Sequence, residues 1–251
     1  MNASDLATFE ALSEKLYTSN QAQDREQAGR LLHLFVQPPA KLDFSLLTQA
    51  QFVLDHSSSR YALVLAATAL SKVIGDHWPA LPSQTRLGLR TYLLNLMGTK
   101  GTTLDDFVAI ALVKLVCLVL KLSWMENAEQ TKEIMQRLGQ FLQVSVPHCH
   151  LGLRILGHLV EEMNNARSGG LTPTMHRKIC ISFRDTSLLD IFQLSLTTLR
   201  QLFSKPGGAE GTYTLSPALL QYSGRSFLPI IALKHRAHTN SLLYLRTQKR
   251  S

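Results

Sequence analysis

The chain has 251 residues, 45% of them hydrophobic, which is enough to fill a continuous core and excludes disorder over its whole length. Its net charge of +8 and pI near 9.6 suggest a basic nucleic-acid binder. Residues 1–210 carry 20 Lys and Arg against 18 Asp and Glu, however, and 211–251 carry six basic residues (Arg225, Lys234, Arg236, Arg246, Lys249, Arg250) and no acid, so the basicity belongs to the tail.

Leu dominates the apolar set, Gly and Pro are sparse before residue 205, and no Asn-Gly or Asp-Gly pair separates alternating runs, so the class is all α. Ser4 and Asp5 offer caps to a first helix whose Leu6, Phe9, Leu12 and Leu16 follow helical spacing, with a turn at 18–21. A second helix is expected over 22–36, with Ala28, Leu31, Leu32 and Phe35 on one face and Pro38-Pro39 as its stop. The same helix-turn-helix shape recurs at 42–54 with 60–77, 83–98 with 104–123, 128–145 with 149–166, and more loosely 175–183 with 186–204. Pro79 and Pro82 precede the fifth helix, Gly98 and Gly101 close it, and Pro147 falls between the seventh and eighth. The apolar run 107–120 is 14 residues long and holds Lys114, so it reads as a buried helix and no membrane insertion is expected. Asp185, Thr186 and Ser187 offer capping oxygens to the last helix, whose stripe is Leu188, Ile191, Phe192, Ser195, Leu199 and Leu202.

Pairs beginning near 3, 41, 82, 126 and 171 are spaced by 38, 41, 44 and 45 residues, the spacing of HEAT or armadillo units. A single pair cannot bury its apolar face, whereas stacked pairs share a core, so an α-solenoid of about five hairpins is expected over 1–205. Lys205-Pro-Gly-Gly208 then breaks the pattern, and 206–251 reads as an irregular basic tail, disordered or a truncation artefact. On that reading the chain is a truncated product or gene model, and an uncovered end repeat is expected to leave it marginally soluble or self-associating.

Several stretches resemble the amino-terminal region of the exportin-7 branch of the importin-β superfamily of nuclear transport receptors. They are Leu65-Ala-Ala-Thr-Ala-Leu-Ser-Lys-Val73, Leu87-Gly-Leu-Arg-Thr-Tyr-Leu-Leu-Asn95, Lys121-Leu-Ser-Trp124, Phe141-Leu-Gln143 and, most specifically, residues 176–192 (HRKICISFRDTSLLDIF). The resemblance covers roughly 5–205 and fades beyond Leu220. It implies a receptor that shuttles between nucleus and cytoplasm through the pore, meets nuclear pore proteins, and binds the GTP form of the small GTPase Ran with its amino-terminal repeats. It names no cargo, which would be gripped along repeats that follow.

Within that motif His176, Arg177, Lys178, Phe183, Arg184 and Asp185 read as structural, with Arg184 pairing an acid and Asp185 capping the next helix. In solenoids of this kind the second helices line the concave side. Arg60, Tyr61, Thr68 and Lys72 from the second pair, with Lys114 and Lys121 from the third, are therefore the candidate GTPase-facing residues. Against this, Tyr61 also reads as core and isolated lysines as solvated.

No enzyme is expected. There is no Gly-x-Ser-x-Gly elbow, no Cys-His signature and no phosphate-loop spacing, and Asp105-Asp106 and Glu161-Glu162 read as charged solvent faces. Cys117, Cys149 and Cys180 lie too far apart for a disulfide framework or a CxxC pair. His148-Cys149-His150 lacks a second ligand pair and reads as a helix start with one buried Cys, so neither metal nor cofactor is expected. The rival readings are a generic helical scaffold without Ran dependence and a weak basic nucleic-acid binder; no specific nucleic acid is expected.

Overall fold

The computed structural model describes residues 1–37, 41–126, 128–166 and 170–204. The expected tail at 206–251 lies outside these. The described residues form helices and no strand. In chain order the helices are α1 (Ala3–Thr18), α2 (Ala22–Leu31), α3 (His33–Val36), α4 (Phe44–His56), α5 (Arg60–His77), α6 (Ser83–Lys100), α7 (Asp106–Leu122), α8 (Ala128–Val144), α9 (Val146–Asn164), α10 (Pro173–Thr186) and α11 (Leu188–Ser204). A single 3₁₀ turn, Trp78–Ala80, follows α5. The all-α HEAT-like solenoid read from the spacing is the fold observed.

Local chemistry accounts for most boundaries. Asn2, rather than Ser4 or Asp5, caps α1: its side chain accepts from the Asp5 N–H at 2.9 Å while the Asp5 carboxylate accepts from the Asn2 N–H at 2.8 Å. Asp43 caps α4 through the Ser45 N–H at 2.8 Å, and Thr172 caps α10 ahead of Pro173. Pro147 does not separate two helices. It sits in the first turn of α9, where its missing N–H costs nothing, and Ser145 is the cap.

The second helix departs from expectation. It breaks at Leu32, whose ψ of 15° ends α2 and starts the one-turn α3. The break rotates the stripe, so Ala28, Leu32 and Phe35 are buried while Leu31 is 62% exposed. Phe35 then lies 4.6 Å from Phe9 between ring centroids.

Packing is asymmetric. The helices α5, α7 and α9 stack directly on one another along their length, whereas α4, α6 and α8 pack mainly on their own partners. Closer approach on one side curves the stack toward the α5–α7–α9 row. Both α1 and α3 abut α5, and α10 and α11 abut α9. The row is dry: Ala66, Leu70 and Ile74 of α5, Leu112, Leu115, Val116 and Leu120 of α7, and Ile155, Leu156 and Leu159 of α9 are essentially inaccessible. Gly152 permits close approach of α8 to α9, since a Cβ there would stand 2.8 Å from Leu142 Cδ2 of α8.

The outer helices are tied instead by polar bonds. The Tyr92 hydroxyl of α6 donates to Asp55 Oδ1 at 2.9 Å, and Lys100 Nζ donates to the terminal carbonyls of α4 at Leu54 and Asp55. Arg137 of α8 donates to Asn95 of α6 at 3.3 Å, and His148 Nε2 of α9 meets the Gly98 carbonyl at 3.2 Å.

Candidate functional site

The curved row leaves one stripe of each inner helix open. Arg60 and Tyr61 stand at the start of α5, where Ser59 as cap fixes the first turn. The Arg60 guanidinium lies over the Tyr61 ring, 5.0 Å from its centroid, and 3.8 Å from Asp105 Oδ2 at the head of α7. Tyr61 stacks on Tyr17 of α1 at 5.5 Å and meets Phe107 of α7 at 6.1 Å. Three helices thus present one aromatic row. Its outer members stay open, Tyr17 at 48% and Phe107 at 42% exposure.

Beside it, Thr68, Ser71, Phe107, Ile110, Lys114 and Glu162 line an open groove of about 410 Å³ between α5, α7 and α9. Thr68 and Lys114 therefore face one space, with Arg60 and Tyr61 adjacent through Phe107. Lys72 is exposed but does not line the groove.

Lys121 is elsewhere in character. It follows Lys114 by seven residues, so the helical period places both on one stripe. At the end of α7, however, the last turn of α9 covers that stripe, and the Lys121 side chain has 0% exposure. Its ammonium donates to the Asn165 carbonyl at 2.6 Å and lies 3.5 Å from Glu162 Oε1. Burial pushes its pKa down while Glu162 holds it up. It is committed to the protein interior and cannot reach a partner directly.

Three of the four paired acids, Asp105, Asp106 and Glu162, reach a neighbouring helix, whereas Glu161 pairs within α9. Asp105 reaches Arg60, and Asp106 accepts from Nη1 and Nη2 of the buried Arg154 of α9, both at 3.0 Å. Glu162 pairs Lys121; Glu161 pairs His158 at 3.1 Å. Along the same face of α9, burial pushes the pKa values of His150 and His158 down, so both rings are neutral near pH 7.

The residues of the His176 motif are placed partly in the interior and partly on the surface. Phe183 is buried against the edge of Trp124, 5.2 Å between centroids, and the His176 ring lies 3.4 Å from Cys180 Sγ. Arg177 and Lys178 are exposed. Arg184 bonds to its neighbour Asp185 at 2.8 Å, and each holds the other ionised. Asp185 lies within α10, so it does not cap α11; the Ser187 carbonyl accepts the Ile191 N–H instead.

His148, Cys149 and His150 diverge, with His148 bonded to Ser145 and Gly98 and Cys149 buried. Among the described residues no group of three His, Cys, Asp or Glu side chains could hold a metal ion, and no helix is long and apolar enough to cross a membrane.

Residues 43–99, which contain α4, α5 and most of α6, match the Importin-beta N-terminal domain family. The chain is 35% identical over 204 residues to Ran-binding protein 17 of Homo sapiens and 34% identical over 203 residues to Exportin-7-B of Xenopus laevis. It is 34% identical over 200 residues to Ran-binding protein 16 of Drosophila melanogaster. These alignments cover 78–80% of this chain but 17–18% of each relative, so the chain spans less than a fifth of the length of the curated relatives it matches.

Proposed function

The chain is related to the amino-terminal part of the exportin-7 branch of the importin-β superfamily, and from that premise we propose that it binds Ran in the GTP form and supports nucleocytoplasmic protein transport. In this reading it works in nucleus and cytoplasm, passes the pore by contacting pore proteins, and performs no covalent chemistry. Cargo contacts belong to repeats beyond those described.

The observation that carries the reading is the open stripe on the inner row: Tyr17, Tyr61 and Phe107 in one aromatic line, with Arg60 and the groove holding Thr68 and Lys114 beside it. Exposed aromatic side chains supply contact area at low entropic cost, and Arg60 and Lys114 supply steering toward an acidic partner face. Lys72 contributes at the margin, and Lys121 acts by fixing α7 against α9.

Capture of purified Ran loaded with GTP or GDP by the full chain is the test. Retention of the GTP form alone, weakened at least about tenfold by Tyr61→Ala, is expected. Equal retention of both forms, or of neither, overturns the proposal in favour of a helical scaffold without Ran dependence.

A further inference from the structure

Three helices meet at one polar point inside otherwise apolar packing. Lys121, at the end of α7, gives its ammonium to the Asn165 carbonyl just past α9 and to Glu162 in the last turn of α9. That carbonyl end is the negative pole of the α9 dipole, a natural seat for a cation. The fifth pair enters at the same point. The Cys180 thiol of α10 donates to the Met163 carbonyl of α9 at 2.8 Å, with the His176 ring against its sulfur.

Apolar attachment is unequal on the two sides of this point. On α7, 12 of 17 residues are buried; on α10 only Ile179 and Phe183 of 14 are. A helix held by so little apolar contact owes part of its orientation to directional bonding, and the bond from Cys180 to Met163 depends on where the end of α9 is held.

We propose that Lys121 is the latch that orients the fifth pair on the rest of the stack, and that its release lets α10 and α11 swing as a unit while α1 to α9 stay folded. Both of its acceptors lie at the carboxyl end of α9, Glu162 in its last turn and Asn165 as its cap, so the ammonium draws the end of α9 onto α7 and aims the Met163 carbonyl at Cys180. Without it, Glu162 turns to water and the α9 terminus frays. Because each pair in a solenoid touches only its neighbours, rotation at one joint displaces everything beyond it.

The three free thiols report on this directly. Cys117 and Cys149 are buried within the first four pairs, whereas Cys180 is half-buried at the joint. Maleimide labelling of the full chain, with each thiol followed by peptide mass, is compared between wild type and Lys121→Met. Loss of the positive charge alone disfavours the Cys180 thiolate and slows its labelling. Opening of the joint speeds it. The expected result is labelling of Cys180 faster by about tenfold or more, with Cys117 and Cys149 still protected. Acceleration of all three thiols alike, or slower labelling of Cys180, overturns the proposal. Glu162→Gln removes the carboxylate charge that holds the ammonium, at a partly exposed position and with little risk to folding; a smaller acceleration confined to Cys180 is expected, and an unchanged or reduced rate there overturns the latch as well.

Discussion

The inner row α5–α7–α9 and the fifth pair α10–α11 are built from the same kind of amphipathic helix, yet they are held differently. The row is buried through interdigitated Leu, Val, Ile and Ala, and the charges it buries, Lys121 and Arg154, are paired with Glu162 and Asp106. The fifth pair buries Ile179, Phe183, Leu188 and Ile191 together with Ser187, Ser195 and Thr198, and is tied to α9 by the hydrogen bond of Cys180 to Met163. Apolar packing is strong and tolerant of small slides; polar attachment is directional and adjustable. The row is therefore suited to present a fixed surface, and the end to move relative to it.

The largest test of this contrast is truncation in each region. Leu115→Ala or Ile155→Ala, at fully buried sites, should cost about 3–5 kcal/mol and lower the urea midpoint of the whole chain. Ile179→Ala should cost about 2 kcal/mol and, in hydrogen exchange, deprotect α10 and α11 alone. Equal global losses would break the comparison.

Gly152→Val comes next. Its new methyl groups would be driven into Leu142, where even a Cβ has too little room, and an overpacking cost of about 1–3 kcal/mol is expected from thermal unfolding.

Acidification is expected to weaken the row by a smaller amount. His150 and His158 have folded pKa values below their ordinary 6.5, so the unfolded chain takes up protons first as pH falls. Stability is then fully present above about pH 7.5 and declines as pH drops through 6.5, and a melting temperature lower at about pH 5.5 is the expected reading. His158→Gln should flatten that slope; an unchanged slope would move the pH sensitivity away from α9.

The smallest expected effect is Arg60→Ala, where a half-exposed guanidinium faces Asp105 across 3.8 Å. Its melting temperature should stay within about a degree of wild type, while retention of Ran-GTP falls. A large stability loss would make Arg60 a structural residue rather than part of a contact surface.

Much of this architecture was legible in the sequence because prolines, caps and apolar spacing act locally. The helix pairs at 42–54 with 60–77 and 83–98 with 104–123 lie close to α4 to α7, whereas the caps expected at Ser4 and Asp185 are not the ones used. What depended on neighbours was not legible. Leu31 fits the α2 stripe until the break at Leu32 rotates it outward, and Lys121 has the same helical phase as Lys114 until α9 ends above it. Tyr17 and Phe107 escaped notice as surface residues because an aromatic side chain on an amphipathic helix ordinarily marks the core. The ion pairs of Asp106 with Arg154 and of Glu162 with Lys121 join residues 48 and 41 positions apart, respectively, so no local spacing announces them.

The bonds among the outer helices give the stack a mechanical stop. Tightening its curve spreads α4, α6 and α8, stretching the bonds of Tyr92 to Asp55 and of Arg137 to Asn95 from 2.9 and 3.3 Å toward lengths at which a hydrogen bond ceases to hold. Flattening instead loads the bonds that cross the inner row, of Arg154 to Asp106 at 3.0 Å and of Lys121 to Asn165 at 2.6 Å. The described arc is thus held against closing by its outer bonds and against opening by its inner ones, and a partner seated on its inner face meets a cradle of set curvature.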